Sequence, residues 1–173
     1  SFFTAPEFTD WGGYNGGDNR NHFSPLTQIN VSNVKNLKLA WSYSSGGADT
    51  VNQTTQIQCN PIIIQGVLYG VSAGSQAFAL DAKSGREIWK TAIKEKTPSM
   101  NSRGVAFYSS PGQRSKIFFG YGSYLFALDA KTGKPVETFG EKGKINLLEG
   151  IRRPGSDDYT VLNTPISIYK NTL

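Results

Sequence analysis

The sequence is short of the residues that mark several common kinds of site. Among 173 residues there is one cysteine, Cys59, and one histidine, His22. A single cysteine excludes an internal disulfide framework. It lies in an apolar stretch and reads as a small buried hydrophobe. A single histidine supports neither a histidine-rich metal centre nor a triad, and His22 reads as a loop residue. Charge is scarce too. Charged residues make up 18% and aromatic residues 12%, against roughly 25% charged in an average globular chain. Such a chain is not disordered. No apolar run approaches the about 18 residues of a membrane-spanning helix. The start, Ser1-Phe2-Phe3, lacks the basic region of a secretory leader, although a trimmed chain has the same appearance. The net charge is +5, from 18 basic and 13 acidic residues. The basic residues are dispersed, with no block of five or more, which disfavours nucleic acid as a partner. Gly120-Tyr121-Gly122 lacks the third glycine of a dinucleotide fingerprint.

Glycine is plentiful at 19 residues, and an internal repeat dominates the chain. Ala79-Leu80-Asp81-Ala82-Lys83-Ser84-Gly85 returns 48 residues later as Ala127-Leu128-Asp129-Ala130-Lys131-Thr132-Gly133. Repeats of about 40–50 residues are the mark of propeller blades and stacked arrays. The flanks of each copy contain short apolar runs bounded by turn residues, four to a unit. The first unit predicts strands at Pro61–Ile64, Val67–Val71, Gln76–Leu80 and Arg86–Lys90. The second predicts Val105–Tyr108, Lys116–Gly120, Tyr124–Leu128 and Pro135–Phe139. In the repeated turn, the Asp carboxylate can accept N–H bonds from the residues that follow it, and Gly85 and Gly133 permit positive φ. Asn163-Thr164-Pro165-Ile166 echoes Asn60-Pro61-Ile62 and opens a third unit. Before the repeats, Ser32–Leu37 predicts one capped helical turn. Alternation at Leu37, Leu39, Trp41 and Tyr43 predicts a strand, with Trp41 in the core.

These segments resemble a known family. Asp10-Trp11-Gly12-Gly13-Tyr14-Asn15-Gly16-Gly17-Asp18, then Phe23-Ser24-Pro25-Leu26-Thr27-Gln28-Ile29-Asn30 and Asn33–Leu37, resemble the opening of quinoprotein dehydrogenases that use pyrroloquinoline quinone (PQQ). Gln58-Cys59-Asn60-Pro61, the repeat ending in Ile88-Trp89, and Arg103-Gly104-Val105-Ala106-Phe107-Tyr108 are similar to family segments as well. Phe139-Gly140-Glu141-Lys142-Gly143 is similar to the membrane glucose dehydrogenase branch. The likeness runs from about residue 10 to the end.

The resemblance implies an all-β fold, a β-propeller of W-shaped four-stranded blades, eight in the family. This chain would supply about two blades and the start of a third: a lead-in and outer strand over 1–45, blade one over 57–93, blade two over 103–140 and the third from 160. PQQ is a tricarboxylate quinone and needs cations and hydrogen-bond donors. The resemblance implies cofactor contacts from Arg103, Gln58 and Thr164. Read without it, Arg103 is a residue that pairs with a neighbouring blade's carboxylate, and Gln58 is a polar strand end. Trp89 matches a tryptophan that packs on the glycine turn of the next blade. Its counterpart one repeat on is Glu137, a departure that the glucose dehydrogenase branch shares. Thr97-Pro98 stands where methanol-type enzymes have adjacent cysteines, and Ser99 stands where the membrane glucose enzyme has a histidine. Asn30-Val31-Ser32 and Asn52-Gln53-Thr54 fit glycosylation patterns that arise readily by chance.

The implied activity is oxidation of a sugar or alcohol, with an Asp base and a Ca²⁺ ion acting at the cofactor. Electrons then pass to ubiquinone or cytochrome c, in a periplasmic setting. The base and the Ca²⁺ ligands belong to later blades, so no catalytic or metal-ligating residue is expected within these 173 residues. The implied partners are the substrate, the electron acceptor and the remaining blades of the same protein. A competing reading is a propeller scaffold without PQQ that presents a protein-interaction surface.

Overall fold

The computed structural model describes residues 10–17, 20–53, 55–93, 102–150 and 160–173. Two four-stranded antiparallel sheets follow one another along the chain. The first contains β1 (Ile62–Ile64), β2 (Val67–Val71), β3 (Gln76–Asp81) and β4 (Glu87–Ala92). The second contains β5 (Ala106–Tyr108), β6 (Lys116–Tyr121), β7 (Tyr124–Asp129) and β8 (Lys144–Asn146). In each sheet every strand pairs with its neighbours in sequence, giving the order 1-2-3-4 of a meander. The only helical elements among the described residues are 3₁₀ turns at Tyr14–Gly16 and Val34–Asn36. The second of these lies in the segment expected to form a capped turn, but no side chain caps it.

Local chemistry explains the meander. β1 and β2 are joined by two residues, Gln65 and Gly66, both at positive φ (49° and 77°). That is the twist a two-residue hairpin requires. The β3–β4 and β7–β8 connections begin with the repeated Asp turn. Oδ1 of Asp81 accepts the Ser84 N–H at 2.8 Å and the Ser84 hydroxyl at 2.7 Å. Oδ1 of Asp129 accepts the Thr132 N–H and hydroxyl, each at 2.9 Å. Gly85 N–H and Gly133 N–H close the same ring on the carbonyls of Asp81 and Asp129.

Alternation along the strands sends alternate side chains to opposite faces. Ile62, Tyr69, Val71, Ala77, Ala79 and Trp89 face Val105, Ile117, Phe119, Phe126, Leu128 and Ala130, forming one core between the sheets. The other face of the second sheet buries Phe118, Leu125 and Ala127 under Leu162, Ile166 and Ile168. The second sheet is therefore packed on both sides, as a blade between neighbours is. Its central Phe119 is fully buried.

The units are also clasped by tryptophan. Trp89 Nε1 donates to Ala130 O at 2.9 Å. Its ring lies on Gly133, where an added Cβ would meet Cε3 at 2.5 Å. Trp41 repeats this on the first sheet. Its Nε1 donates to Ala82 O at 3.1 Å, and its ring covers Gly85, where a Cβ would meet it at 2.6 Å. Trp41 and Trp89 stand 48 residues apart, the same spacing as the Asp turns.

Two local expectations need correction. Pro135–Phe139 is not a strand. Pro135 makes a single bridge to Leu128, and the chain then turns, with Phe139 N–H on Val136 O. Proline cannot extend the ladder, and Lys142 and Gly143 at positive φ redirect the chain. β8 takes the fourth place instead, pairing with β7. Leu37–Tyr43 is not in a ladder either. Leu37 and Leu39 are exposed there, and Trp41 is a half-buried clasp rather than a core residue. Residues 163–168 form no ladder among the described residues, and Ile166 and Ile168 pack on the second sheet.

Candidate cofactor-binding rim

Three chain segments converge beside the starts of β1 and β5. The run Gln58-Cys59-Asn60-Pro61 leads into β1, Arg103-Gly104-Val105 leads into β5, and Asn163-Thr164-Pro165 precedes Ile166 and Ile168, which pack on the second sheet. Asn60 and Gly104 form a parallel bridge. Asn60 N–H donates to Arg103 O at 2.9 Å, and Arg103 N–H donates to Asn163 O at 2.7 Å. Backbone thus runs from unit to unit across this rim, with Arg103 in the middle. Ser102, buried, donates its hydroxyl to Gly104 O at 3.2 Å.

The three residues expected at a cofactor sit on this rim, and all are exposed. Arg103 and Thr164 make no side-chain hydrogen bond among the described residues. The Gln58 amide donates to Gln56 Oε1 at 3.0 Å. The backbone bonds that join the segments run through Asn60, Arg103 and Asn163, next to or two residues from Gln58 and Thr164, and no side-chain hydrogen bond links the three expected residues among the described residues. Cys59, between Gln58 and Asn60, turns inward and accepts Val71 N–H at 3.2 Å. Burial pushes its thiol up to about 11, so it stays neutral at physiological pH.

The rim segments offer a guanidinium, an amide and a hydroxyl, and no carboxylate belongs to them. That donor set fits an anion with several carboxylates. Among the described residues no cluster of three or more His, Cys, Asp or Glu could hold a metal ion. Thr97, Pro98, Ser99 and Thr54 lie outside the described residues. His22 is exposed, at a φ of 58°. Arg20 donates to Ser167 Oγ at 3.2 Å. It borders a cleft of about 380 Å³ beside Tyr14, Phe107 and Pro165, which none of the three expected residues lines.

Asn60, Ser102 and Asn163 were not expected at the site. The signal for the two asparagines was present, since each stands one or two residues before a proline at the head of its unit. Ser102 carries no such signal.

A family model described as "PQQ: Glucose/ethanol/alcohol dehydrogenase, beta-propeller domain" matches residues 11–173. The chain belongs to this quinoprotein dehydrogenase family. The quinoprotein glucose dehydrogenase of Escherichia coli is 34% identical over 155 residues, covering 80% of this chain and 20% of that protein. The glycerol dehydrogenase large subunit of Gluconobacter oxydans is 32% identical over 160 residues, covering 85% and 22%. The crystal structure of quinohemoprotein alcohol dehydrogenase from Comamonas testosteroni superposes with a TM-score of 0.68 at 28% identity, covering 83% of this chain and 20% of that one. The chain thus spans about a fifth of the length of these relatives. Glucose, glycerol and alcohol enzymes resemble it about equally. The propeller fold expected from the repeat is the fold of these quinoprotein dehydrogenases.

Proposed function

We propose that this chain forms the first blades of a PQQ-dependent dehydrogenase that oxidises a sugar or an alcohol, and that its inner rim contributes one side of the cofactor site. The observation that carries this reading is the joining of the segments that hold Gln58, Arg103 and Thr164 by backbone bonds between Asn60, Arg103 and Asn163, with all three side chains exposed, in a chain of this quinoprotein family. Bound there, PQQ supplies a two-electron quinone oxidant. The chain's own residues bind and orient it. The Arg103 guanidinium is planar and permanently charged, and suits a carboxylate or quinone oxygen. The Gln58 amide donates without adding charge, and the Thr164 hydroxyl completes the set. In this reading the substrate-activating base and the Ca²⁺ ligands come from other blades of the same protein. The electron acceptor is ubiquinone or a cytochrome c, and the setting is periplasmic. The family membership and the rim's donor chemistry support this assignment.

The test is PQQ titration of the full-length protein with Ca²⁺ present, followed by quenching of tryptophan fluorescence and by substrate-dependent dye reduction. A charge-assisted hydrogen bond contributes about 1.5–3 kcal/mol. Arg103→Ala should therefore weaken PQQ binding about 10- to 150-fold. Unchanged affinity would remove Arg103 from the site. No PQQ binding and no PQQ-dependent oxidation by the unaltered protein would establish a scaffold instead.

A further inference from the structure

Arg103 is exposed, yet both of its backbone groups are bonded to other chain segments. Its N–H is spent on Asn163 O and its carbonyl on Asn60 N–H, so two other segments grip the peptide groups on either side of its Cα. Such a grip requires the three inner segments to pass very close to one another. They do so at the next residue. A Cβ on Gly104 would lie 2.8 Å from Pro165 Cγ and 3.1 Å from Asn60 O. Real Cβ atoms essentially never come as near as the first of these. Gly104 has no positive φ, so the constraint is one of space alone. The Ser102 hydroxyl, on Gly104 O, ties down the other flank.

We infer that Gly104 is a positioning residue for the cofactor arginine: its missing side chain lets the Asn60 and Asn163 segments close on Arg103 from both sides. The inference rests on Arg103 being a PQQ ligand. A side chain at 104 pushes Pro165 outward, lengthens one or both backbone bonds, and lets the peptide that carries the guanidinium shift. A long side chain on a displaced backbone can still reach its partner, but it loses the preorganised geometry on which affinity depends.

The experiment uses the full-length protein without cofactor and reads PQQ affinity by titration, independently of turnover. The variants are Arg103→Ala, Gly104→Ala, both together, and Gly104→Ala with Pro165→Ala. Gly104→Ala should weaken PQQ binding about tenfold, and it should add almost nothing in the Arg103→Ala background, because coupled residues are not additive. Pro165→Ala removes the crowding atom and should restore part of the lost affinity. A Gly104→Ala protein that binds PQQ normally, while Arg103→Ala does not, overturns this inference and leaves the cofactor reading standing. Effects that multiply fully in the double variant overturn it as well, since they mean that Gly104 acts elsewhere. If Arg103→Ala alone changes nothing, the cofactor reading and this inference fall together. Should Gly104→Ala not fold, Asn60→Pro takes its place in the same cycle. It deletes both donors to Arg103 O, the Asn60 N–H at 2.9 Å and its Nδ2 at 3.5 Å, and adds nothing at Gly104.

Discussion

The clasp between the two sheets gives a direct measure of what joins one blade to the next. Trp89 is 8% exposed, and its ring lies against Gly133 and near Tyr69, with centroids 6.1 Å apart in the latter pair. Trp89→Ala removes a buried aromatic ring, which costs about 3–5 kcal/mol. It also strips the Ala130 carbonyl of its 2.9 Å partner. An orphaned buried acceptor costs about 1–3 kcal/mol. The two overlap, because water enters the vacated space, and the expected loss is about 4–5 kcal/mol. Trp89→Phe keeps most of the apolar area and loses the N–H, so about 1–2 kcal/mol is expected. Gly133→Ala is the partner perturbation. Its φ is 68° and the new methyl would collide with the indole. With Trp89 already gone, the collision with the indole vanishes, leaving backbone strain of about 1 kcal/mol and a 2.9 Å approach to Thr91 Oγ1. The double variant should thus lose clearly less than the sum of the singles. Urea denaturation of the full-length protein, followed by circular dichroism, reads all of this from the shift in midpoint. A loss under about 1 kcal/mol for Trp89→Ala, or strict additivity with Gly133→Ala, would refute the clasp.

Two further predictions concern single groups. The Ser84 hydroxyl and N–H hold the Asp81 carboxyl below the ordinary carboxylate range. Its contribution to stability is therefore present above the unfolded pKa and is lost as pH falls through the folded one. Carboxyl NMR titration should give a depressed midpoint that Ser84→Ala moves back up, and an unmoved midpoint contradicts the turn's role. The Cys59 thiol, raised to about 11 by burial, is thiolate in roughly one molecule in a thousand at pH 8. Iodoacetamide should label it slowly in the native protein and quickly after denaturation, and equal rates would place it at the surface.

Much of the fold was legible because local rules and the repeat agree. Asp81-to-Gly85 and Asp129-to-Gly133 form the same turn, and the apolar runs beside them became strands within a residue or two. The fourth strand of the second sheet was not legible. Val136 and Phe139 have the right apolar character, and Phe139 does pack on Phe118, with centroids 5.3 Å apart. It does so from a turn, because Pro135 cannot continue the ladder. Trp41 was open to discovery from the repeat, which places it 48 residues before Trp89. Alternation with Leu37 and Leu39 pointed to a core strand instead, since periodicity reports a face without naming what covers it. At the rim, the family resemblance pointed to Arg103, Gln58 and Thr164, whereas the bonds that join the rim segments run between the backbones of Asn60, Arg103 and Asn163. A main-chain bond leaves almost no trace in side-chain identity, so the pairing of Arg103 with Asn60 and Asn163 could not be read from residue types.

The clasps also set a timetable for synthesis. Trp41 binds Ala82 and Trp89 binds Ala130, each 41 positions further along the chain. Each tryptophan therefore leaves the ribosome well before its seat exists. At about 5–20 residues per second, the wait is roughly 2–8 seconds. During that interval an indole and a half-finished sheet stand open to water and to other chains. The unit that a tryptophan belongs to cannot secure itself; it is locked from behind, by the turn of the unit made after it.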